Sequence, residues 1–109
     1  MIDDYPIFLE WMALTDWVLN ALDRFPKSVR LTFSNRIADL CLDVVEGIVK
    51  AVYTRNRVGI LNDINMKIEI LRVLFRISFN RRYLSLRQYE YVSKKLLTCG
   101  RMIGGWKKK

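Results

Sequence analysis

The sequence predicts an all-α protein, an antiparallel up-down-up-down four-helix bundle formed by one domain over residues 1–109. Three observations support this fold class. Apolar residues recur at three- and four-residue spacings in four separate segments, which is the periodicity of an α-helix. The chain contains only two prolines and five glycines, which disfavours a fold of strands and turns. The links between the segments are short, and short links make consecutive helices antiparallel neighbours.

The first predicted helix spans about residues 6 to 24, and Pro6 suits its first turn because no backbone N–H is needed there. Its core stripe is Ile7, Trp11, Leu14, Val18, Ala21 and Phe25. After a break at Pro26, a second helix is predicted over about residues 28 to 55. Its core stripe is Phe33, Ile37, Leu40, Val44, Ile48 and Ala51.

The third helix is predicted over about residues 60 to 82. Its core stripe is Leu61, Ile64, Ile68, Leu71, Phe75 and Phe79. The fourth, over about residues 86 to 103, opens with Ser85 and Gln88, whose spacing is that of a capping box. Its inward residues are Tyr89, Val92, Leu96, Cys99 and Ile103. Gly104-Gly105 is predicted to end this helix and to leave a basic tail at 106–109.

Several helices carry a second apolar stripe beside the first. On the first helix it is Phe8, Met12, Leu19 and Leu22, and on the third it is Met66, Ile70, Val73 and Ile77. One stripe per helix is enough to fill a bundle core. The second stripe therefore indicates either a wide core face or a surface covered by another subunit, and the periodicity favours neither.

The charge of the chain is unevenly distributed. Residues 1–24 contain five acidic residues and one arginine, whereas residues 25–109 contain eighteen lysines and arginines and six acidic residues, which gives the chain its net charge of +8. This asymmetry predicts a basic working surface for a polyanion. The alternative is a basic surface that only keeps the protein in solution.

Cys41 and Cys99 lie in helical patterns and do not indicate a disulfide framework, so we expect two small core residues and a reducing, cytoplasmic location. No signal peptide is evident at the acidic start of the chain. Charged residues interrupt every apolar stretch well before the roughly 18 residues that a membrane-spanning helix needs. The sequence therefore predicts no association with a membrane.

The composition argues against catalysis. The chain has no histidine, which removes the usual catalytic triads, the common zinc sites and the most frequent general base. Each predicted helix contains a glutamate, yet a di-iron site also needs histidine. No glycine-rich phosphate loop occurs in a strand-loop-helix context. We predict no enzyme activity, no metal and no cofactor.

Basic residues are concentrated in the second half of the chain, and arginines outnumber lysines eleven to eight. Arginine makes forked contacts with phosphate oxygens. If the third and fourth helices are neighbours, their basic edges form one patch for a nucleic-acid backbone, and this patch is predicted from Arg72, Arg76, Arg81, Arg87 and Lys94. Tyr83, Tyr89 and Tyr91 lie among these residues, where they either stack on exposed bases or pack at a bundle end.

Several motifs resemble a known family. These are Pro26-Lys27-Ser28-Val29-Arg30 with the following Asn35-Arg36, the segment Leu84 to Tyr89, and above all the Gly-Arg-x-x-Gly-Gly-Trp pattern at residues 100–106. They are similar to the small four-helix-bundle proteins that comprise the ribosomal-RNA intervening-sequence proteins and Avd, the accessory variability determinants of diversity-generating retroelements. The resemblance extends over about residues 5 to 107.

The resemblance implies a homopentameric ring of four-helix bundles. An Avd-type ring binds the reverse transcriptase of the retroelement together with template RNA or its hybrid with cDNA, and it supports mutagenic cDNA synthesis. By position in the matching motifs, the resemblance adds Arg30, Arg36 and Arg101 to the candidate nucleic-acid contacts. Membership of the intervening-sequence branch would instead imply a protein adaptor or an RNA binder outside a retroelement.

Overall fold

The computed structural model describes all 109 residues and contains four α-helices and no β-strand. The helices are α1 (Pro6–Leu22), α2 (Asn35–Val52), α3 (Val58–Asn80) and α4 (Leu86–Lys107). Contacts join α1 to α2, α2 to α3, α3 to α4 and α4 back to α1, so each helix packs against two neighbours. The molecule is elongated along the helices, with extents of 42 × 23 × 22 Å. This arrangement is compatible with the predicted four-helix bundle.

Aromatic contacts between helix ends show how neighbouring helices run. Tyr5, just before α1, lies against Trp106 near the end of α4, with ring centroids 5.2 Å apart. Phe79 near the end of α3 stacks on Tyr89 near the start of α4, with centroids 4.7 Å apart and an interplanar angle of 7°. In both pairs the end of one helix meets the start of its neighbour, so α4 is antiparallel to α1 and to α3.

The core consists of 22 buried apolar side chains drawn from all four helices and their links. Every residue of the predicted α1 stripe is buried, and the other predicted stripes are buried apart from Phe33, Leu40, Phe79 and Tyr89, which are half-buried. Trp11 is completely buried, and its indole Nε1–H donates a hydrogen bond of 2.9 Å to the Cys41 carbonyl of α2. The helical periodicity therefore identified most of the core, which also includes Leu22, Cys41 and Leu84 from outside the predicted core stripes.

Both cysteines lie in this core as free thiols. Burial raises the pKa of the Cys41 thiol to about 12 and that of Cys99 to about 11. A thiol reacts through its thiolate, and these pKa values keep the thiolate rare near neutral pH. The prediction that both cysteines act as small core residues is confirmed.

The predicted extent of α2 was wrong at both ends. Residues Lys27–Val29 form a 3-10 turn and Arg30–Ser34 form a wider π-helical turn, so the regular α-helix begins only at Asn35. No side chain caps this helix start, and the Thr32 hydroxyl instead donates to the Val29 carbonyl at 3.2 Å. The helix ends at Val52, and a five-residue link leads into α3.

The predicted end of α4 at Gly104-Gly105 was also wrong, because the helix continues to Lys107. Glycine ends a helix when it adopts a left-handed backbone conformation. No glycine of this chain has a positive φ, and both glycines keep the helical conformation. Residues 106–109 are therefore mostly the last turn of α4 and not a separate tail. At the other end of α4 the capping box is present as predicted, with Ser85 and Gln88 bonding to each other's backbone.

The end of α3 has a cap that the residue types do not predict. Arg82 has a left-handed backbone with φ of 64°. Its N–H donates to the Phe79 carbonyl at 2.9 Å, and the Tyr83 N–H donates to the Ser78 carbonyl at 2.8 Å. These two bonds are those of a Schellman motif, in which glycine normally occupies the left-handed position. The turn from α3 to α4 is therefore built with an arginine in a conformation that costs an L-residue about 1 kcal/mol.

We expect Arg82→Gly to stabilise the protein by about 0.5 to 1 kcal/mol, because glycine adopts a positive φ without a Cβ clash. For a chain of this size this corresponds to a rise of roughly 2 to 6 °C in Tm, measurable by thermal unfolding monitored by circular dichroism. The matched control is Arg81→Gly, whose neighbouring position has an ordinary φ of −83°. Glycine at position 81 should lower Tm, and an equal rise in both variants would contradict the strain at Arg82.

Candidate nucleic-acid interface

Most basic side chains of the protein have no acidic partner. The chain has 19 lysines and arginines. Only two of them form ion pairs, Lys67 with Asp63 and Arg72 with Glu69 at 3.1 Å. The third ion pair joins the terminal amine of Met1 to Asp4. The positive charge of the surface is therefore available to an external polyanion.

The largest gathering of predicted site residues lines a groove between α3 and α4. This α3–α4 groove has a volume of about 790 Å³. Its lining residues are Glu69, Arg72, Val73, Arg76, Arg87, Tyr89, Glu90, Tyr91, Ser93 and Lys94. Four cations face two carboxylates here, which leaves an excess of positive charge. The geometry thus brings Arg72, Arg76, Arg87 and Lys94 together on one surface.

The local structure explains why these four residues meet. Arg72 and Arg76 lie one turn apart on the edge of α3 that faces α4. The Schellman motif at Arg82 and the capping box at Ser85 return the chain within five residues. The first three turns of α4 are thereby set beside the last three turns of α3.

Two tyrosines of α4, Tyr89 and Tyr91, line the α3–α4 groove. Tyr89 is half-buried and stacked on Phe79. Tyr91 is exposed, lies 4.9 Å from Trp17 of α1 between ring centroids, and has the Lys95 ammonium 5.7 Å from its ring centroid. Tyr83 does not line the groove, because it packs against Phe25 and Phe33. Two of the three tyrosines are therefore near enough to contact a base lying in the groove.

The remaining predicted residues lie elsewhere. Arg30 lines a surface cleft beside the end of α1, and Arg36 lines a groove between α2 and α3 with Asp39 and Asp43. Arg81 is exposed at the end of α3, with its Nε–H 3.5 Å from the Tyr83 hydroxyl. Arg101 is exposed about two turns beyond Lys94 on the same helix. The eight candidates thus do not form one continuous patch.

The sequence reasoning missed a second basic region at the opposite end of the molecule. Arg55 and Arg57 in the link between α2 and α3 lie beside Lys107 and Lys109. These residues could have been found from the predicted up-down topology, because it places the α2–α3 link and the end of α4 at the same end of the bundle. The spacing of residues along the chain carries no such information.

Other kinds of site are not evident. No three His, Cys, Asp or Glu side chains are grouped so that they could hold a metal ion. None of the four helices combines the length and the apolar character needed to cross a membrane.

Comparison with known proteins yields one match. A protein-family model described as bAvd-like matches residues 9–109, which include all four helices except the first three residues of α1. No match is found among curated proteins or among solved structures.

Proposed function

We infer the function from one premise, which is that the chain belongs to the bAvd-like family. This membership points to an accessory role in a diversity-generating retroelement. We propose that the protein is a non-catalytic subunit that binds nucleic acid and acts with the retroelement's reverse transcriptase. In this role it holds template RNA, or the hybrid of that RNA with cDNA, during mutagenic cDNA synthesis.

The observation that carries this proposal is the set of four cations in the α3–α4 groove. Arg76, Arg87 and Lys94 have no acidic partner within ion-pair distance, and only Arg72 is paired. Guanidinium groups bind phosphate oxygens in a forked geometry. Contacts of this kind depend on the backbone and not on the bases, so the binding should be weakly sequence-specific and strongly dependent on salt.

The proposal includes assembly into a homopentameric ring. The second apolar stripe of α3 supports it, because Met66 is 61% exposed and Ile77 is 39% exposed, and neither side chain lines the α3–α4 groove. On α1, Leu9, Met12 and Leu19 are also exposed. Large exposed apolar side chains that recur along a helix are typical of a surface covered by another protein. Five copies, each with a net charge of +8, would also concentrate positive charge on one particle.

The same stripes support a second candidate function, that of a protein adaptor. In that case another helical protein covers Met66 and Ile77, and the basic surface only maintains solubility. The two candidates differ in what they require of the α3–α4 groove. An adaptor does not need phosphate contacts there.

The groove is tested by reversing two of its charges. We expect Arg72→Glu/Arg76→Glu to weaken binding of a single-stranded RNA at least about tenfold at low salt. The slope of log affinity against log salt should also fall by about 1 to 2, because two phosphate contacts are lost. Fluorescence anisotropy over a range of salt concentrations measures both quantities. The matched control is Arg24→Glu/Lys50→Glu, which changes the net charge equally at exposed positions outside the groove. Equal losses in the two variants would show that only net charge matters.

The assembly is tested by light scattering coupled to size exclusion. We expect a mass near five times the 12.9 kDa of one chain. Met66→Glu should dissociate the particle, because it buries a charge in an apolar contact. Thr98→Glu on an exposed site of α4 should leave the mass unchanged. A wild-type monomer that gains mass only with a protein partner would favour the adaptor.

A further inference from the structure

A second basic cleft lies at the end of the molecule where α2 meets α3 and where α4 ends. This end cleft has a volume of about 700 Å³. Its lining residues are Tyr5, Pro6, Ile7, Arg55, Asn56, Arg57, Val58, Met102, Gly105, Trp106, Lys107 and Lys109. Four of these side chains are cationic and none is acidic. The α3–α4 groove, by contrast, contains two glutamates.

The Arg57 guanidinium is held in place without being neutralised. It lies over the indole of Trp106, 5.2 Å from the ring centroid. The indole is in turn supported by the Tyr5 ring on α1's side of the cleft. Neither Arg55 nor Arg57 belongs to any of the three ion pairs of the chain. A guanidinium fixed by an aromatic ring loses less freedom when it binds an anion, so its contact with a phosphate is stronger.

Gly105 gives the end cleft an open wall. It lies within α4 with an ordinary helical backbone, and a Cβ added there would meet no atom within 4 Å. The fold does not require glycine at this position, and alanine would favour the helix. A glycine at such a place allows a ligand to approach the backbone closely. Gly105 therefore leaves the backbone of α4 open in a cleft that Arg57 and Trp106 also line.

We propose that the end cleft is a phosphate-binding site, separate from the α3–α4 groove, and that its occupant is the phosphodiester backbone of a nucleic acid. The nature of the ligand rests on the proposed function, whereas the site itself does not depend on the groove. Arg57 and Arg72 are separated by about 22 Å along α3, at roughly 1.5 Å per residue. Successive phosphates of one strand advance roughly 3.4 Å along a helical axis. A strand of about a dozen nucleotides thus reaches both sites.

The three tryptophans allow the two sites to be observed separately. Trp106 reports the end cleft, and Trp17 contacts Tyr91 at the border of the α3–α4 groove. Trp11 is buried and hydrogen-bonded to Cys41, so it serves as the reference. We would label the protein with 5-fluorotryptophan, assign the three fluorine resonances with Trp→Phe variants, and titrate a single-stranded oligonucleotide of twelve residues. The Trp106 resonance is expected to shift and the Trp11 resonance to stay.

Each result of this titration has a distinct meaning. A Trp106 resonance that does not move at saturating oligonucleotide overturns the proposal. If inorganic phosphate shifts the Trp106 resonance as much as the oligonucleotide does, the end cleft is a free-phosphate site. If poly-glutamate shifts it as much, the cleft is an acidic-peptide site. Either result overturns the phosphodiester assignment. If Trp106 moves while Trp17 does not, the end cleft stands, and the groove is then decided by the Arg72→Glu/Arg76→Glu variant.

Variants supply an independent measurement. Arg55→Gln/Arg57→Gln should lower the salt slope of single-strand binding by about 1.4, since each lost phosphate contact accounts for roughly 0.7. Arg24→Gln/Lys50→Gln removes the same charge from exposed sites elsewhere and should leave the slope nearly unchanged. Because Arg57 also packs on Trp106, Arg55→Gln alone is included, with an expected decrease of about half that size. Equal slopes for the wild type and for Arg55→Gln would overturn the contact assigned to Arg55.

Discussion

The structure depends on apolar packing between helices, because almost nothing else joins them. The three ion pairs all connect residues three or four positions apart, so none links one helix to another. Two side-chain hydrogen bonds cross between helices, from Trp11 to the Cys41 carbonyl and from Lys107 to Asn62. Surface ion pairs of this local type contribute less than about 1 kcal/mol each. Apolar packing therefore holds the helices together, and most of the cations form no ion pair.

The dependence of the fold on apolar packing explains how much of it could be predicted from the sequence. Burial follows the helical period, so most core positions were predicted correctly even where the helix boundaries were not. The boundaries depend on local backbone conformations that residue types only bias. Arg82 occupies a left-handed position, and only a glycine there would have predicted this helix end from the sequence. Gly104 and Gly105 are typical of a helix end, yet they remain helical because α4 continues past them to pack Trp106 against Tyr5.

The candidate site was predictable to the extent that it lies on one pair of adjacent helices. Arg72 and Arg76 share an edge of α3, and the short link to α4 sets them beside Arg87 and Lys94. The residues assigned from family motifs, Arg30, Arg36 and Arg101, are scattered over the surface. A sequence motif does not indicate how far apart its residues lie in the fold or which face of the molecule they occupy. The end cleft is formed by three separate segments, which are the start of α1, the α2–α3 link and the end of α4. Periodicity within one helix cannot reveal such a site.

Under the proposed function, the exposed apolar stripe and the unpaired cations would be related through the strength of phosphate binding. Four cations opposed by two glutamates would neutralise few phosphates, so a single groove would bind nucleic acid only weakly at physiological salt. Repeating the groove around a closed particle converts later contacts into intramolecular ones, which raises the overall affinity without any new contact. Met66 lies on the same helix as Arg72 and Arg76, so a subunit covering the stripe would sit close to the groove. Assembly and nucleic-acid binding are thus expected to reinforce each other, with the apolar stripe setting the number of grooves that one strand can meet.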